Sequence, residues 1–299
     1  MSVLVNAYCT VRQPPEISFS HQLNAYRGLD DPALIEHLKG LARYVVAGGR
    51  GMNQRRYAVL RHVERVRHHY SLTMEDSQLD PLSDWARQAN AILFVPDGSI
   101  TDPDGKVLLN PTDGSESPTA QMPYPVDARN RKKHHDDWLR SEQIPIAGSL
   151  PPTLGENEVL LRGPVEVALR RMALTLVAIR AESLNGDKPI PPTEMQSRFP
   201  LAFNSLTPSE LQFMQTNAPD AQAVIDHAWK YEAADTLRWA LMRSDELVFP
   251  DRICNVPQTA ADVVRDGPDA IVAAAELRPL ATIVDQVDLH LRLLSLIHI

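Results

Sequence analysis

Long apolar runs are absent from this chain. No stretch approaches the roughly 20 consecutive residues that a helix needs to cross a bilayer, so no membrane span is expected. The opening Met1-Ser2-Val3-Leu4-Val5-Asn6 lacks a basic segment followed by a long apolar one, so no signal peptide is expected and the compartment reads as cytoplasmic. Cysteine is scarce: Cys9 and Cys254 stand far apart and neither sits in a C-x-x-C pair, which removes the common redox and zinc motifs and fits a reducing compartment. Positive charge is in deficit. With 30 Lys and Arg against 38 Asp and Glu the formal charge is -8, so the chain as a whole is repelled by nucleic acid and by anionic lipid. Familiar catalytic signatures are missing too: there is no G-x-S-x-G elbow, no H-E-x-x-H or H-x-x-E-H, and neither G-x-x-x-x-G-K-[ST] nor G-x-G-x-x-G.

What is present is ample material for a core. A length of 299 residues exceeds a usual single core and predicts two domains of about 100 to 200 residues each. A hydrophobic share of 43% is too high for disorder throughout. In the first half, Val3 to Tyr8 reads as a strand and Asp31-Pro32 as a helix start running towards Val46. An arginine-rich helix follows the Gly48-Gly49-Arg50-Gly51 break. Tyr70, Leu72 and Met74 then alternate with polar residues, the period of a half-buried strand. A short helix from Asp80, a buried-type strand over Ala91 to Val95, and a hairpin turning at Asp102-Pro103-Asp104-Gly105 complete this half.

From Asn110 to Val126 the prolines Pro111, Pro118, Pro123 and Pro125 stand among Ser, Thr, Asp and Gly, a composition that sustains neither helix nor central strand. Residues 1–110 are therefore expected to form a small α+β domain, 111–127 a proline-rich linker, and 128–293 an all-α domain, giving an α+β chain overall. In that last part Arg129 to Leu139 is a charged helix, and Pro164 opens a helix with Val165, Leu169, Met172, Leu176 and Ile179 on one face. Leu206-Thr207-Pro208-Ser209-Glu210-Leu211 carries a capping box, Thr207 with Glu210, and a staple, Leu206 with Leu211. A long helix from about Asp220 to Met242 has a wide apolar arc and is expected to be central. A final helical region starts near Pro268 and breaks or restarts at Pro279.

Several groups of side chains offer chemistry. His68-His69 and His134-His135-Asp136-Asp137 carry metal-ligating atoms, but adjacent side chains diverge, so solvated surface and no metal are expected. Asp97, Asp102 and Asp104 resemble a cation loop but lack the calcium pattern's glutamate at the twelfth position, and a turn explains them. Six arginines, Arg50, Arg55, Arg56, Arg61, Arg65 and Arg67, face one acid, Glu64. They form either a solvated helix face or a phosphate-binding patch, with the solvated face preferred. Glu166, Arg170 and Glu232 lie in strongly apolar helices, where a charge must find a partner or shift its pKa. A buried ion pair, Glu232 with Arg170 or Arg171, is expected; the alternative makes Glu232 a general acid or base in a cleft lined by Trp229 and Trp239.

The order of Arg131-Lys132-Lys133, Leu150-Pro151, Leu161-Arg162, Glu166-Val167-Ala168-Leu169-Arg170, the Leu206 to Glu210 cap, Trp229-Lys230-Tyr231-Glu232, Trp239-Ala240-Leu241, and Asp285 with Asp288-Leu289 and Arg292 resembles bacterial domain-of-unknown-function family 4272 over residues 128–293. The resemblance implies a module identity and no mechanism, and makes the first half an α+β extension. It also puts Asp285 among the polar candidates. Leu294-Ser295-Leu296-Ile297-His298-Ile299 looks like a translated sequencing adapter, so a non-native tail is expected there and His298 is not read as a ligand. Taken together these features predict a non-enzymatic module that binds another protein, without cofactor. The alternatives are a hydrolase or ligand-binding enzyme built on Glu232 and an arginine, and nucleic-acid binding through Arg50 to Arg67.

Overall fold

Ser2-Val3-Leu4-Val5-Asn6-Ala7-Tyr8-Cys9 is mostly apolar, and in the computed structural model it is strand β1 (Ser2–Cys9), covered on both faces from Val5 onward while Leu4 is exposed. The structure describes residues 2–47, 51–186 and 189–295. The Gly48-Gly49-Arg50 part of the glycine break and the suspected tail from Leu296 lie outside them. Contacts divide the chain into two compact units, Met1–Val159 with Val284–Ile299, and Leu160–Ile283.

The first unit is built on a six-stranded sheet. Its other strands are β2 (Gln22–Arg27), β3 (His68–Glu75), β4 (Ala91–Phe94), β5 (Ile100–Thr101) and β6 (Val107–Leu109), in the spatial order β2-β3-β1-β4-β5-β6 with antiparallel pairing throughout. Because side chains alternate across a strand, Val5, Ala7 and Cys9 of β1 join Leu72, Met74 and Leu93 under Leu82, Trp85 and Ala86 of helix α3 (Leu79–Gln88). Tyr8 points the other way, with Ile92, Ile100 and Leu108, against α1 (Ala33–Val46) and α2 (Gln54–Arg65) through Leu41, Val45, Val59 and Val63. Each valine, leucine, isoleucine or methionine buried in this way contributes about 1.5 to 3 kcal/mol. Edge strand β2 has no sequence signature: Leu23 and Tyr26 are exposed and a bulge interrupts its pairing between Leu23 and Ala25, the usual features of an edge.

Residues 111–127 do not separate the units. Ala120 is buried beside Leu108, Ser117 N–H donates to Val107 O at 2.7 Å, and Gln121 N–H donates to Asp102 Oδ2 at 3.0 Å. Proline bars helix and central strand but not packing on a sheet edge, so the segment lies within the first unit, which reaches Val159. Helix α4 (Val126–Ser141) belongs to the same unit. The hairpin turn forms as its residue types dictate: Asp102 Oδ1 accepts from the N–H of Asp104 and of Lys106, both at 3.0 Å, and Gly105 takes φ 77°.

The second unit is helical: α5 (Pro164–Leu184), α6 (Pro192–Arg198), α7 (Pro200–Phe203), α8 (Pro208–Gln215), α9 (Ala221–Ala228), α10 (Lys230–Ala240) and α11 (Val256–Ala273). Its central helix is α5, not the expected 220–242 segment. Ala168, Ala173, Ala178 and Ala181 of α5 are fully buried, and α7 to α11 pack around it; alanine keeps a helix thin enough to be approached from several sides. The 220–242 segment instead breaks into α9 and α10 at Trp229. Helix α11 is two segments joined at Gly267, whose backbone is non-helical (φ 74°, ψ 171°): an earlier one capped by Asn255, which was not expected, and the expected one beginning at Pro268, with the restart after Pro279 forming the next helix. The last helix, α12 (Leu280–Leu294), contributes its residues from Val284 to the first unit.

At the start of α8 the capping box is complete: Glu210 N–H donates to Thr207 Oγ1 at 3.3 Å and Thr207 N–H to Glu210 Oε2 at 2.9 Å. Leu206 packs with Phe213 and Met214, whereas Leu211 is exposed. Glu210 also takes a bidentate pair from Arg170, 2.6 and 2.7 Å. Burial pushes the Glu210 carboxyl up, but the Arg170 bonds and the Thr207 N–H outweigh it and hold the group at about 2. Since the folded value lies below the ordinary 4.5, this contribution is present above that pH and is lost as pH falls towards 2. Glu210→Gln should therefore destabilise the chain by about 3 kcal/mol near neutral pH. In urea titrations the difference from wild type should shrink steadily between pH 4.5 and 2.

Candidate functional site

Two buried polar clusters and one open cleft hold some of the sequence-derived candidates, among them Asp285, Trp229 and Glu232. In the first unit the cluster centres on Asp288 of α12, which has no solvent exposure. Its Oδ1 accepts from Arg292 Nη2 at 2.9 Å and from Thr153 Oγ1 at 2.8 Å, and its Oδ2 from Arg292 Nε and His135 Nδ1 at 2.8 and 2.9 Å. Arg292 continues to Asp136 at 3.0 Å, and Asp136 to Lys132 at 2.6 Å. Burial raises the Asp288 carboxyl, but His135, Arg292 and Thr153 together hold it well below the usual carboxylate range. His135 and Asp136 are thus interior, not solvated as expected, because α12 supplies a cation and an anion for them. His134 and Asp137 face outward. Asp285, half-exposed, lies 3.3 Å from His135 Nε2 at the margin of the cluster.

In the second unit Arg171, at the middle of α5, has no solvent exposure and its three guanidinium nitrogens have no hydrogen-bond partner. Its ion-pair contact is Asp262 at 3.5 Å. Burial pulls its pKa down to about 10, against the attraction of Asp262. Asp262 also binds Arg238 at 2.6 Å, and Arg238 lies 3.5 Å from Asp235. A cavity of about 400 Å³ opens beside Arg238, Arg243, Ser244 and Gln258; both of its arginines are matched by acids, Arg243 by Asp266 at 3.2 Å.

The cleft is different in kind. It is about 320 Å³ in volume, forms where α9 meets α10, and is lined by Ile225, Trp229, Tyr231, Ile253 and Val256, with two carboxylates, Glu182 and Glu232. Trp229 stands at the junction of α9 and α10, where the hydrogen bonding tightens to Glu232 N–H donating to Trp229 O at 3.2 Å, and its side chain is exposed. Tyr231 is buried and donates its hydroxyl to Glu182 at 2.7 Å. Glu232 accepts the Cys254 N–H at 2.8 Å, which fixes the loop before α11.

The expected pairing of Glu232 with Arg170 or Arg171 is not formed: those arginines go to Glu210 and Asp262. Glu166 sits in the exposed first turn of α5, paired with Arg162 at 2.6 Å, since a helix that is apolar in its middle still begins at the surface. Trp239 is not in the cleft with Trp229; it is buried, with the Arg278 guanidinium 4.9 Å from its ring centroid. His68 and His69 are likewise buried rather than solvated, bonded to Arg12 O and Tyr26 and to Asn6 and Arg27. Burial, then His37 and Arg27, push His69 down to about 3. The arginines of α2 do not converge. Arg55 binds Ala120 O at 2.8 Å, Arg56 is buried, Arg61 pairs with Glu64, and Arg65 lies 3.5 Å from Glu158. Among the described residues no three His, Cys, Asp or Glu side chains are grouped as the ligands of a metal ion would be, and no helix is long and apolar enough to cross a membrane.

The family model described as Domain of unknown function (DUF4272) matches residues 131–297, over half of the chain. The chain belongs to this family. The DUF4272 region runs from within α4 into α12 and so contains the Asp288 cluster, the Arg171 cluster and the cleft, while the sheet is a separate N-terminal extension. No curated protein and no solved structure matches the chain.

Asp288→Asn removes the charge that neutralises buried Arg292, and should destabilise the first unit by about 3 to 5 kcal/mol. Asp285→Asn, at the exposed margin, should cost less than about 1 kcal/mol. Urea unfolding followed by tryptophan fluorescence separates the two.

Proposed function

We propose that this DUF4272 chain is a protein-interaction module that takes hold of its partner at the Trp229 cleft. The observation carrying this reading is the exposure of Trp229, 59%, together with Ile225, 49%, and Ile253, 65%, around one concavity. A clustered apolar surface of this kind is unfavourable in water and marks a contact site more often than isolated exposed residues do. Tryptophan and tyrosine are also the side chains on which interface energy concentrates. The carboxylates, Glu232 half-buried and Glu182 exposed, supply the polar selectivity that a purely greasy patch lacks.

The rival reading, a hydrolase or ligand-binding enzyme using Glu232, draws on the same cleft, where a second carboxylate accompanies Glu232. Against it, the arginine it invokes is engaged elsewhere and Glu232 already holds the Cys254 backbone. The nucleic-acid reading would need a shared arginine face, whereas the α2 side chains are distributed among backbone carbonyls and acids.

Trp229→Ala deletes an exposed side chain and should change stability by no more than about 0.5 kcal/mol, while reducing recovery of the partner at least tenfold. The check is quantitative affinity capture with wild type and variant side by side, after thermal melts have matched the two. Equal recovery would remove the cleft from the interface.

A further inference from the structure

The two carboxylates of the cleft stand out because of what they lack. Elsewhere in the second unit the buried and half-buried acids are matched by bases, Glu210 by Arg170, Asp235 by Arg238, Asp262 by Arg238 and Arg171, Asp266 by Arg243 and Arg265, whereas Glu232 is half-buried without one and the more exposed Glu182 stands beside it in the cleft. Among the described residues neither Glu182 nor Glu232 has a lysine, arginine or histidine partner, and no basic side chain is among those lining the cleft. Glu182 uses one oxygen, Oε2, for the Tyr231 hydroxyl, and Glu232 uses Oε1 for the Cys254 N–H. That leaves Glu182 Oε1 and Glu232 Oε2 as acceptors.

Neighbouring groups register the negative field. The Cys254 thiol is pushed up to about 12, first by burial and then by the Glu232 charge. Burial and the hydrogen bond to Glu182 push the Tyr231 hydroxyl up as well. Around this field the walls are Ile225, Ile253, Val256 and the Trp229 ring. A cation carried on an apolar stem suits such a site: the stem lies along isoleucine and valine, the charge meets the carboxylates, and the indole face adds attraction. A purely apolar group would fill the walls while leaving two carboxylates partly desolvated and unpaired, which is unfavourable. An acidic one would be repelled.

We infer that the Trp229 cleft receives a lysine or arginine side chain from an apolar segment of a partner protein. This rests on the interaction reading above and names the chemistry of the partner. The charge complementarity is local, since it follows from two specific carboxylates and not from the net acidity of the chain.

The experiment uses the full chain and four acetylated, amidated pentapeptides, Ser-Ile-X-Ile-Ser, with lysine, arginine, norleucine or glutamate at X, titrated by calorimetry and by tryptophan fluorescence. The lysine and arginine peptides should bind at least tenfold more tightly than norleucine, with the glutamate peptide weakest, and the advantage should shrink as salt is raised. Glu182→Gln and Glu232→Gln keep an acceptor for Tyr231 and for the Cys254 N–H, so their melting temperatures should match wild type. Each should cut the lysine advantage several-fold, and the double variant should abolish it without weakening the norleucine peptide. Trp229→Ala should weaken every peptide. Equal binding of lysine and norleucine, binding indifferent to both glutamate substitutions, or no binding by any peptide overturns the inference. A partner still captured through Trp229 in those cases leaves the interaction reading standing, while loss of Trp229 dependence in capture removes that reading separately.

Discussion

Asp288 carries a full charge with no access to water, and the first unit is arranged so that this is tolerable. An isolated carboxylate in such a place would cost many kcal/mol. Here Arg292 spans both oxygens from one turn away, His135 arrives from α4 and Thr153 from the connector after it. Three segments that are distant in sequence are thereby fixed to one atom group. The same bonds position Arg292 against Asp136, and so decide which face of α4 is interior. Without the carboxylate, Arg292 and Lys132 would share Asp136 as their one counter-charge, and α12 would have little to specify its register. A buried ionic cluster is weak evidence for net stability; its value here is in selecting one arrangement among several.

The second unit resolves the same difficulty less completely. Arg171 is surrounded by the small residues that let α5 serve as a central helix, and that close approach excludes water from its guanidinium. Asp262 answers the charge at 3.5 Å while forming its shorter contact, 2.6 Å, with Arg238. By contrast Arg170, its neighbour in sequence, is rotated towards the surface and forms a well-made bidentate pair with Glu210. One position along a helix is a turn of about 100°, enough to separate a well-hydrogen-bonded cation from one that is merely neutralised.

Local physics was readable in the residues and distant pairing was not. The capping box at Thr207, the Asp102 turn and the alternation in β3 depend on neighbours within a few positions, and each formed as its residue types require. Edge strand β2 was invisible because half of it faces water, and the proline-rich 111–127 segment misled because a composition that forbids regular structure does not forbid packing. Among the candidates, Trp229 and Glu232 do share a cleft, but Trp239 does not join them, since ten positions along a helix fall about 80° short of whole turns and its ring is buried on another face beside Arg278. The partners of His135 and Asp136 are about 150 residues away, and no spacing rule reaches that far.

That separation also sets an order of events during synthesis. A ribosome adding about 5 to 20 residues per second delivers Asp288 roughly 8 to 30 seconds after His135, the 153 positions between them being made in the meantime. Until then the inward face of α4 has its histidine and Asp136 without the charges that belong beside them. The sheet with α1 to α3 has its own apolar clusters and can assemble as it emerges, and the helices around α5 likewise. The N-terminal unit therefore remains an unfinished structure throughout translation of the other, and is completed only when α12 is available.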